Sequence, residues 1–506
     1  MRSTAELREF AAEARRALAR ESDIAAFEIY AASAENRIAR ISYTSDIPCR
    51  GVEELKTLHA DGFQVRIVMR RDPHEVGAAF DAGDFTLEAL RGVLTRARRA
   101  TIVDPHFPGL APPPGKPAPA SGARDDLSRA TDSMLARCAW SIIGGALSAF
   151  GDSTAANTRN PGLVLGGDIS IIRDRIAIVN SAFPELRTDQ SAHFSSSVTA
   201  IVEALDAKGT ASELGASAAA MRRAADHLGG DAVAGALALR GGERPPSGTY
   251  RVILGPQPVA EILNYMVMGS LTTGAFHTSS SAYHGRFGER VMDRGLTLYD
   301  DPGSRAGAVR RRITCEGLPA RRVDLIRDGR LVGLLSTLYD SHRLATDDAR
   351  AEKLGALGAE TKFAPANAYR LGEGGGRRFD SHPGSAGTNV IMRARGGISM
   401  PELRRAVGDG IHVGRVWYTY PINGQRAGDF TCTISGDSYL LRGGKRAAAL
   451  APNCLRINAN LAQVFGAPLA ASARSSPQIV WGAPEAFYVP ALAVDGIALT
   501  AVGAGD

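Results

Sequence analysis

The side chains that could carry chemistry are sparse in this 506-residue chain, which has ten histidines and five cysteines. A zinc-dependent hydrolase needs two imidazoles on one helix and a carboxylate beside the metal-bound water. The metal lowers the water's pKa, and the carboxylate takes its proton. Neither HExxH nor HExxxH occurs in the sequence. The nearest string is His74-Glu75-Val76-Gly77-Ala78, with Ala78 and Ala79 where a second histidine is needed. It reads as a surface His-Glu pair between a strand and a turn.

Three other groups compete for a role. His277, Ser279, Ser280 and His284 fall in HTSSSAYH, a donor-rich stretch that could touch a substrate in a cleft. The plainer reading is a polar loop. Cys432 or Cys454 could be a nucleophile with His412 as base. A thiolate needs a nearby base and an electropositive pocket, and buried structural cysteine is the plainer reading. Arg310, Arg311, Arg312, Arg321 and Arg322 bracket Glu316 and read as a solvated face on strands, with acidic-peptide binding a secondary option. The GEGGG run at 372–376 lacks the GK[ST] ending and following helix of a phosphate loop.

The elements that position these residues fall into two parts. In the first, Leu7, Phe10, Ala11, Ala14 and Leu18 recur at helical spacing. Residues 26–31 and 64–70 read as short strands, and Asp84 as the N-cap of a helix through Leu87, Leu90 and Leu94. Residues 108–122 form a Pro-rich connector, and 168–181 read as a hairpin turning near Arg173-Asp174. An Ala-rich helix covers 216–228, and GGERPPS marks a boundary near residue 245. Beyond it come a strand at 250–254 and an apolar helix at 259–271. A hairpin follows at Asp328-Gly329, with similar turns at 435–437 and Asp495-Gly496. The expectation is an α+β chain with an N-terminal α+β domain at 1–245 and a mostly β domain at 246–506.

Bulk composition narrows the class. Hydrophobic content of 44% and charge of 22% are ordinary for a globular protein. No run of about 18 apolar residues predicts a membrane span, and the N-terminus has no apolar signal region. Cys49, Cys138, Cys315, Cys432 and Cys454 are scattered without a CxxC pair, which predicts reduced thiols and a cytoplasmic location. The net charge of +6 comes mostly from dispersed arginine. No nucleic-acid module accompanies it, so nucleic acid is not the expected partner.

Residues 250–289 (YRVILGPQPVAEILNYMVMGSLTTGAFHTSSSAYHGRFGE) resemble the start of the C-terminal domain of the TldD/PmbA family of zinc metallopeptidases. Further landmarks fall in family order: EVGAAFDAGDFTLEAL, Ile178-Val179-Asn180-Ser181, Asp300-Asp301-Pro302, Glu316-Gly317-Leu318-Pro319, GQRAGDF at 424–430, 441–445 and Asn460-Leu461. Departures are the Pro-rich insert, the glycine-rich loop at 372–388, and Ile457-Asn458-Ala459-Asn460 in place of IxGN. Aligned without gaps, the family's HExxxH positions fall on Asn264, Tyr265 and Gly269. The segment 475–484 lacks the cysteine that catalytic members supply as a ligand.

The resemblance therefore implies a TldE/PmbA-like subunit with no catalytic residue and no metal of its own. Zinc is expected in a TldD-like partner, and the pair would trim unfolded or modified peptides inside a chamber. Two alternatives stand beside it. One is a stand-alone amide hydrolase built on His277, His284, Cys432 and His412. The other is a homodimeric peptide-binding scaffold.

Overall fold

The computed structural model describes residues 1–503 apart from 46, 48–49, 113–126, 154–161, 184 and 373–374. Cys49, most of the Pro-rich connector and part of GEGGG lie outside the described residues. The fold is α+β, as expected.

The first part runs α1 (Thr4–Leu18), β1 (Ile24–Thr44), β2 (Gly51–Val52), β3 (Lys56–Met69), β4 (Glu75–Ala82), α2 (Leu87–Arg99), β5 (Ile102–Val103), α3 (Asp132–Gly151), β6 (Leu163–Asn180), β7 (Arg187–Val202), β8 (Ala207–Gly215) and α4 (Ala218–Ala238). All its strands join one antiparallel sheet in the order β5-β4-β3-β1-β6-β7-β8, with β2 beside β1. Side chains alternate across it. Ile29, Ala177 and Val179 meet α1 and α2, and Ile169, Ile171 and Val198 meet α3 and α4. The opposite face carries Tyr30, Ala32, Ile176 and Ile178, and is covered by Ile313, Cys315, Ala368 and Phe379 from the second half of the chain.

Several local expectations are corrected. The short strands at 26–31 and 64–70 are pieces of β1 and β3, which are 21 and 14 residues long. No turn occurs at Arg173-Asp174, because β6 runs straight through them. Both side chains are buried mid-strand, where Arg173 pairs with Glu35 and Asp174 with Arg377. The N-cap of α2 is Thr86, whose hydroxyl accepts from the Ala89 amide at 3.1 Å, and not Asp84. Glu75 is the buried first residue of β4, bonded to Arg71, while His74 is exposed in the preceding turn. Helix α3 is the one described helix long and apolar enough to cross a membrane, by length and composition only. Its buried face (Leu135, Ile142, Ala146) packs in the same core as α4.

The second part runs β9 (Gly248–Leu254), α5 (Pro256–Ile262), α6 (Thr273–His277), β10 (Leu296–Asp300), β11 (Val323–Arg327), β12 (Arg330–Leu331), α7 (Leu338–Ala345), α8 (Arg350–Leu354), β13 (Ala368–Tyr369), β14 (Gly384–Ser385), β15 (Asn389–Ala394) and α9 (Met400–Val407). It continues through β16 (Gly410–Val413), β17 (Arg415–Pro421), β18 (Asp429–Gly436), β19 (Tyr439–Arg442), β20 (Lys445–Ala449), β21 (Leu455–Asn460), α10 (Leu461–Gly466), β22 (Ala470–Ala471), β23 (Ser476–Gln478), β24 (Ala486–Val489) and β25 (Leu492–Ala501). One sheet has the order β17-β18-β21-β25-β9-β16-β19-β20, and a second has β12-β11-β10-β15-β24-β23. Their apolar faces share one large core with the helical segment that begins at α5.

The turn at Asp328-Gly329 is present, with φ of 47° and 77° at the two residues. Asp495-Gly496 is instead a bulge inside β25, where the register against β9 shifts between Val494 and Ile497. Of the arginines around Glu316, Arg321 and Arg322 are exposed as expected, but Arg311 and Arg312 do not join a solvated face. Arg311 is buried over the Tyr369 ring at 4.6 Å, and Arg312 bonds Asp189 at 3.0 Å.

Candidate functional site

Helix α5 opens after Gly255 with Pro256 in its first turn, where a missing N–H costs no hydrogen bond. The helix does not stop at Ile262. It widens into a π-helical turn over Leu263–Val267 and tightens into a 3-10 turn over Met268–Leu271. A π turn displaces carbonyls from their usual partners, and such turns cluster at functional sites. Here Gln425 supplies the missing donor. Its Nε2 reaches the Met266 carbonyl at 2.6 Å and the Ser270 hydroxyl at 3.3 Å.

Asn264, Tyr265 and Gly269 lie on the open side of this segment. Asn264 and Tyr265 are half-buried, Gly269 is exposed, and a Cβ added at Gly269 would meet nothing within 4 Å. The Tyr265 hydroxyl donates to the Trp481 carbonyl at 2.7 Å. Burial and the charge of Glu261 raise the Tyr265 phenol, so it stays a neutral donor. An amide, a neutral phenol and a glycine do not fit zinc, which takes thiolate, imidazole or carboxylate. Among the described residues, no group of three or more His, Cys, Asp or Glu side chains is placed to hold a metal ion.

The donor-rich stretch is only partly gathered here. His284 reaches the same neighbourhood, with its Nδ1 3.3 Å from Arg426 Nη2. Burial and that guanidinium lower its pKa. His277 ends α6 and faces elsewhere. Its Nδ1 is 2.7 Å from Asp347, which also takes Lys353 Nζ at 2.6 Å. Burial, Arg343 and Lys353 lower the His277 pKa. Ser280 bonds the Thr278 hydroxyl at 3.0 Å, and Ser279 sits at φ 58° in the turn. His277 and His284 are therefore tied to different neighbours.

The cysteine nucleophile finds no support in the geometry. Cys432 and Cys454 are buried, and burial with the nearby Glu261 drives the Cys432 thiol far up. His412 stacks on Tyr439 at 4.5 Å, and burial with Arg404 and Arg446 lowers it to about 4. The four described cysteines are all free and buried.

Two features around the helix were not legible in the sequence reading. Beneath it, buried Glu261 accepts from Gln257 Nε2 at 3.1 Å, and burial raises its carboxyl to about 7. Gln257 also receives the Val416 amide at 2.9 Å, which ties α5 to β17. Around it is an aromatic rim. Trp417, Tyr418, Tyr420 and Ile422 are exposed on or just beyond β17, the last strand of its sheet, and Trp481 is 87% exposed. Tyr418 has φ 53°, where the register of β17 against β18 breaks between Trp417 and Tyr420.

Comparison with known proteins gives a consistent outcome. Residues 247–501 match the family described as PmbA/TldA metallopeptidase C-terminal domain. A search of curated proteins finds no match. Among solved structures, TldE from Thermococcus kodakarensis is similar at 14% identity and a TM-score of 0.76, covering 98% of this chain and 100% of that one. A Thermotoga maritima protein described as a modulator of a DNA gyrase gives 14% identity and a TM-score of 0.73, covering 97% of this chain and 99% of that one. One from Bacteroides thetaiotaomicron with the same description gives 15% and 0.73, covering 98% of each chain. At these identities the likeness speaks to the fold.

Proposed function

Because the chain belongs to the PmbA/TldD metallopeptidase family, we propose that it is the TldE-like member of a two-subunit peptidase, paired with a TldD-like subunit that holds the zinc. One observation carries this reading. The helix bearing the family's motif positions is intact and braced by Gln257 and Gln425, yet it offers Asn264, Tyr265 and Gly269 to its open side. The frame is kept while the donors differ. This suits a wall of an active-site chamber better than a decayed fold.

The exposed aromatics beside that helix supply a second support. Apolar rings at 40–87% exposure are what an interface core uses, since aromatic residues bury large areas at low entropic cost. In the complex this chain shapes the chamber and contacts extended, unfolded or modified peptides, while the partner cleaves them. Cleavage needs zinc, which polarises the scissile carbonyl and activates water. This chain's residues bind and orient.

Reconstitution tests the assignment. Purified alone, the protein should carry well under one zinc per chain by elemental analysis and leave unfolded peptides intact. Mixed with a TldD-like subunit, it should form a stable complex that cleaves them. Stoichiometric zinc retained by the isolated chain would overturn the proposal.

A further inference from the structure

A cavity of about 540 Å³ lies between the N-terminal sheet and the segments of the second half that cover it. Its ionisable lining is strongly unbalanced toward carboxyl groups. Glu28, Asp104, Glu316 and Asp340 face it, against a single arginine, Arg66, whose Nη1 is 4.0 Å from Glu28 Oε1. Asp104 and Asp340 are partly satisfied by the His106 amide at 3.0 Å and the Thr337 hydroxyl at 3.0 Å.

Glu316 is different. The residue is only 7% exposed, and its Oε1 accepts from the Leu338 amide at 2.9 Å. Its Oε2 has no hydrogen-bond partner among the described residues. A buried carboxyl oxygen without a partner is costly, and more so if charged. Burial raises this carboxyl to about 8, so it is protonated at neutral pH and gains charge if a cation arrives. Thr337, Tyr339 and His382 add polar groups to the lining, and Phe107, Leu110 and Leu338 form its apolar wall. The volume is in the range of small-ligand sites.

We propose that this cavity binds an alkylammonium group, with the apolar wall taking the alkyl stem and Glu316 with Glu28 taking the charged head. Lysine-like groups combine these two parts, an apolar stem and a strongly hydrated point charge. Two sources share this chemistry, a lysine side chain of a peptide and a free diamine. The site lies on the isolated chain, so it does not depend on the partner subunit of the proposed function.

Isothermal titration of the full chain tests it with cadaverine, with the blocked tripeptide acetyl-Ala-Lys-Ala-amide, and with the same peptide carrying norleucine for lysine. At least one ammonium probe should bind, the norleucine peptide at least tenfold more weakly. Glu316→Gln should weaken the ammonium probe at least tenfold. Glu28→Gln serves as a second variant, and thermal melts check that both fold. Binding of cadaverine alone assigns the site to free amines, and binding of the lysine peptide assigns it to peptide side chains. Equal binding of lysine and norleucine peptides, unchanged affinity in both folded variants, or no binding of either ammonium probe at 10-fold excess over a millimolar would overturn the proposal.

Discussion

Glu261 shows how one side chain couples the helix to pH. Its carboxyl titrates near 7, against 4.5 for an unburied glutamate, because the two sheets close over it. Between those values the folded chain holds a proton that the unfolded chain releases. Its contribution to stability is thus full below about 4.5 and is lost as pH rises through 7. Glu261→Gln removes the charge and keeps an acceptor for Gln257. We expect it to stabilise the protein at pH 8 by on the order of 1–3 kcal/mol, with little change at pH 4.5. Urea unfolding at the two pH values measures this, and an equal loss at both would refute it. Asn264, Tyr265 and Gly269 are legible in the sequence through the family resemblance. Glu261 is not, because its burial comes from β17 and β24, which lie more than 150 residues onward.

At the scale of elements, the buried face of α1 is legible in the sequence, whereas α3, the second half of α4 and the long strands are not. The α1 periodicity predicts its buried face residue for residue, since a helix reports its environment every turn. The long strand β6 has the sequence of a hairpin, because Arg173-Asp174 looks like a turn when its neighbours are unknown. Their partners, Glu35 and Arg377, are 138 and 203 residues away. The α3–α4 pair depends on a feature equally silent in one sequence. A Cβ at Gly229 would lie 1.8 Å from the Ile142 carbonyl, so only glycine allows the two helices their present approach. Gly229→Ala should separate them and cost roughly 1–3 kcal/mol, despite alanine's better helix propensity. A thermal melt checks this, and a raised Tm would contradict the close-packing argument.

For the whole molecule, the proposed pairing puts a second chain against the aromatic rim. Trp481 is nearly fully exposed, so its removal leaves the monomer's core intact. Trp481→Ala should leave the melting temperature of the isolated chain unchanged. It should weaken association with a TldD-like subunit by about 2 kcal/mol, roughly 30-fold in Kd, if Trp481 is an anchor of the interface. Analytical ultracentrifugation of the mixed subunits reads this directly, and an unchanged Kd would move the interface elsewhere.

The clamp of Arg377 on Asp174 and Asp189 also sets an order in time. Arg377 is fully buried, with Nε 2.8 Å from Asp174 and Nη1 2.7 Å from Asp189. Burial alone would push the Asp189 carboxyl up, but Arg377 and Arg312 hold it below its usual value. On a ribosome the sheet carrying both aspartates emerges well before its counter-ion. The 203 residues between Asp174 and Arg377 take roughly 10–40 s to synthesise at ordinary rates. Until Arg312, Ile313 and Cys315 arrive, one face of the sheet is bare, apolar and acidic. The nascent chain must be kept from self-association until its second half arrives to close it.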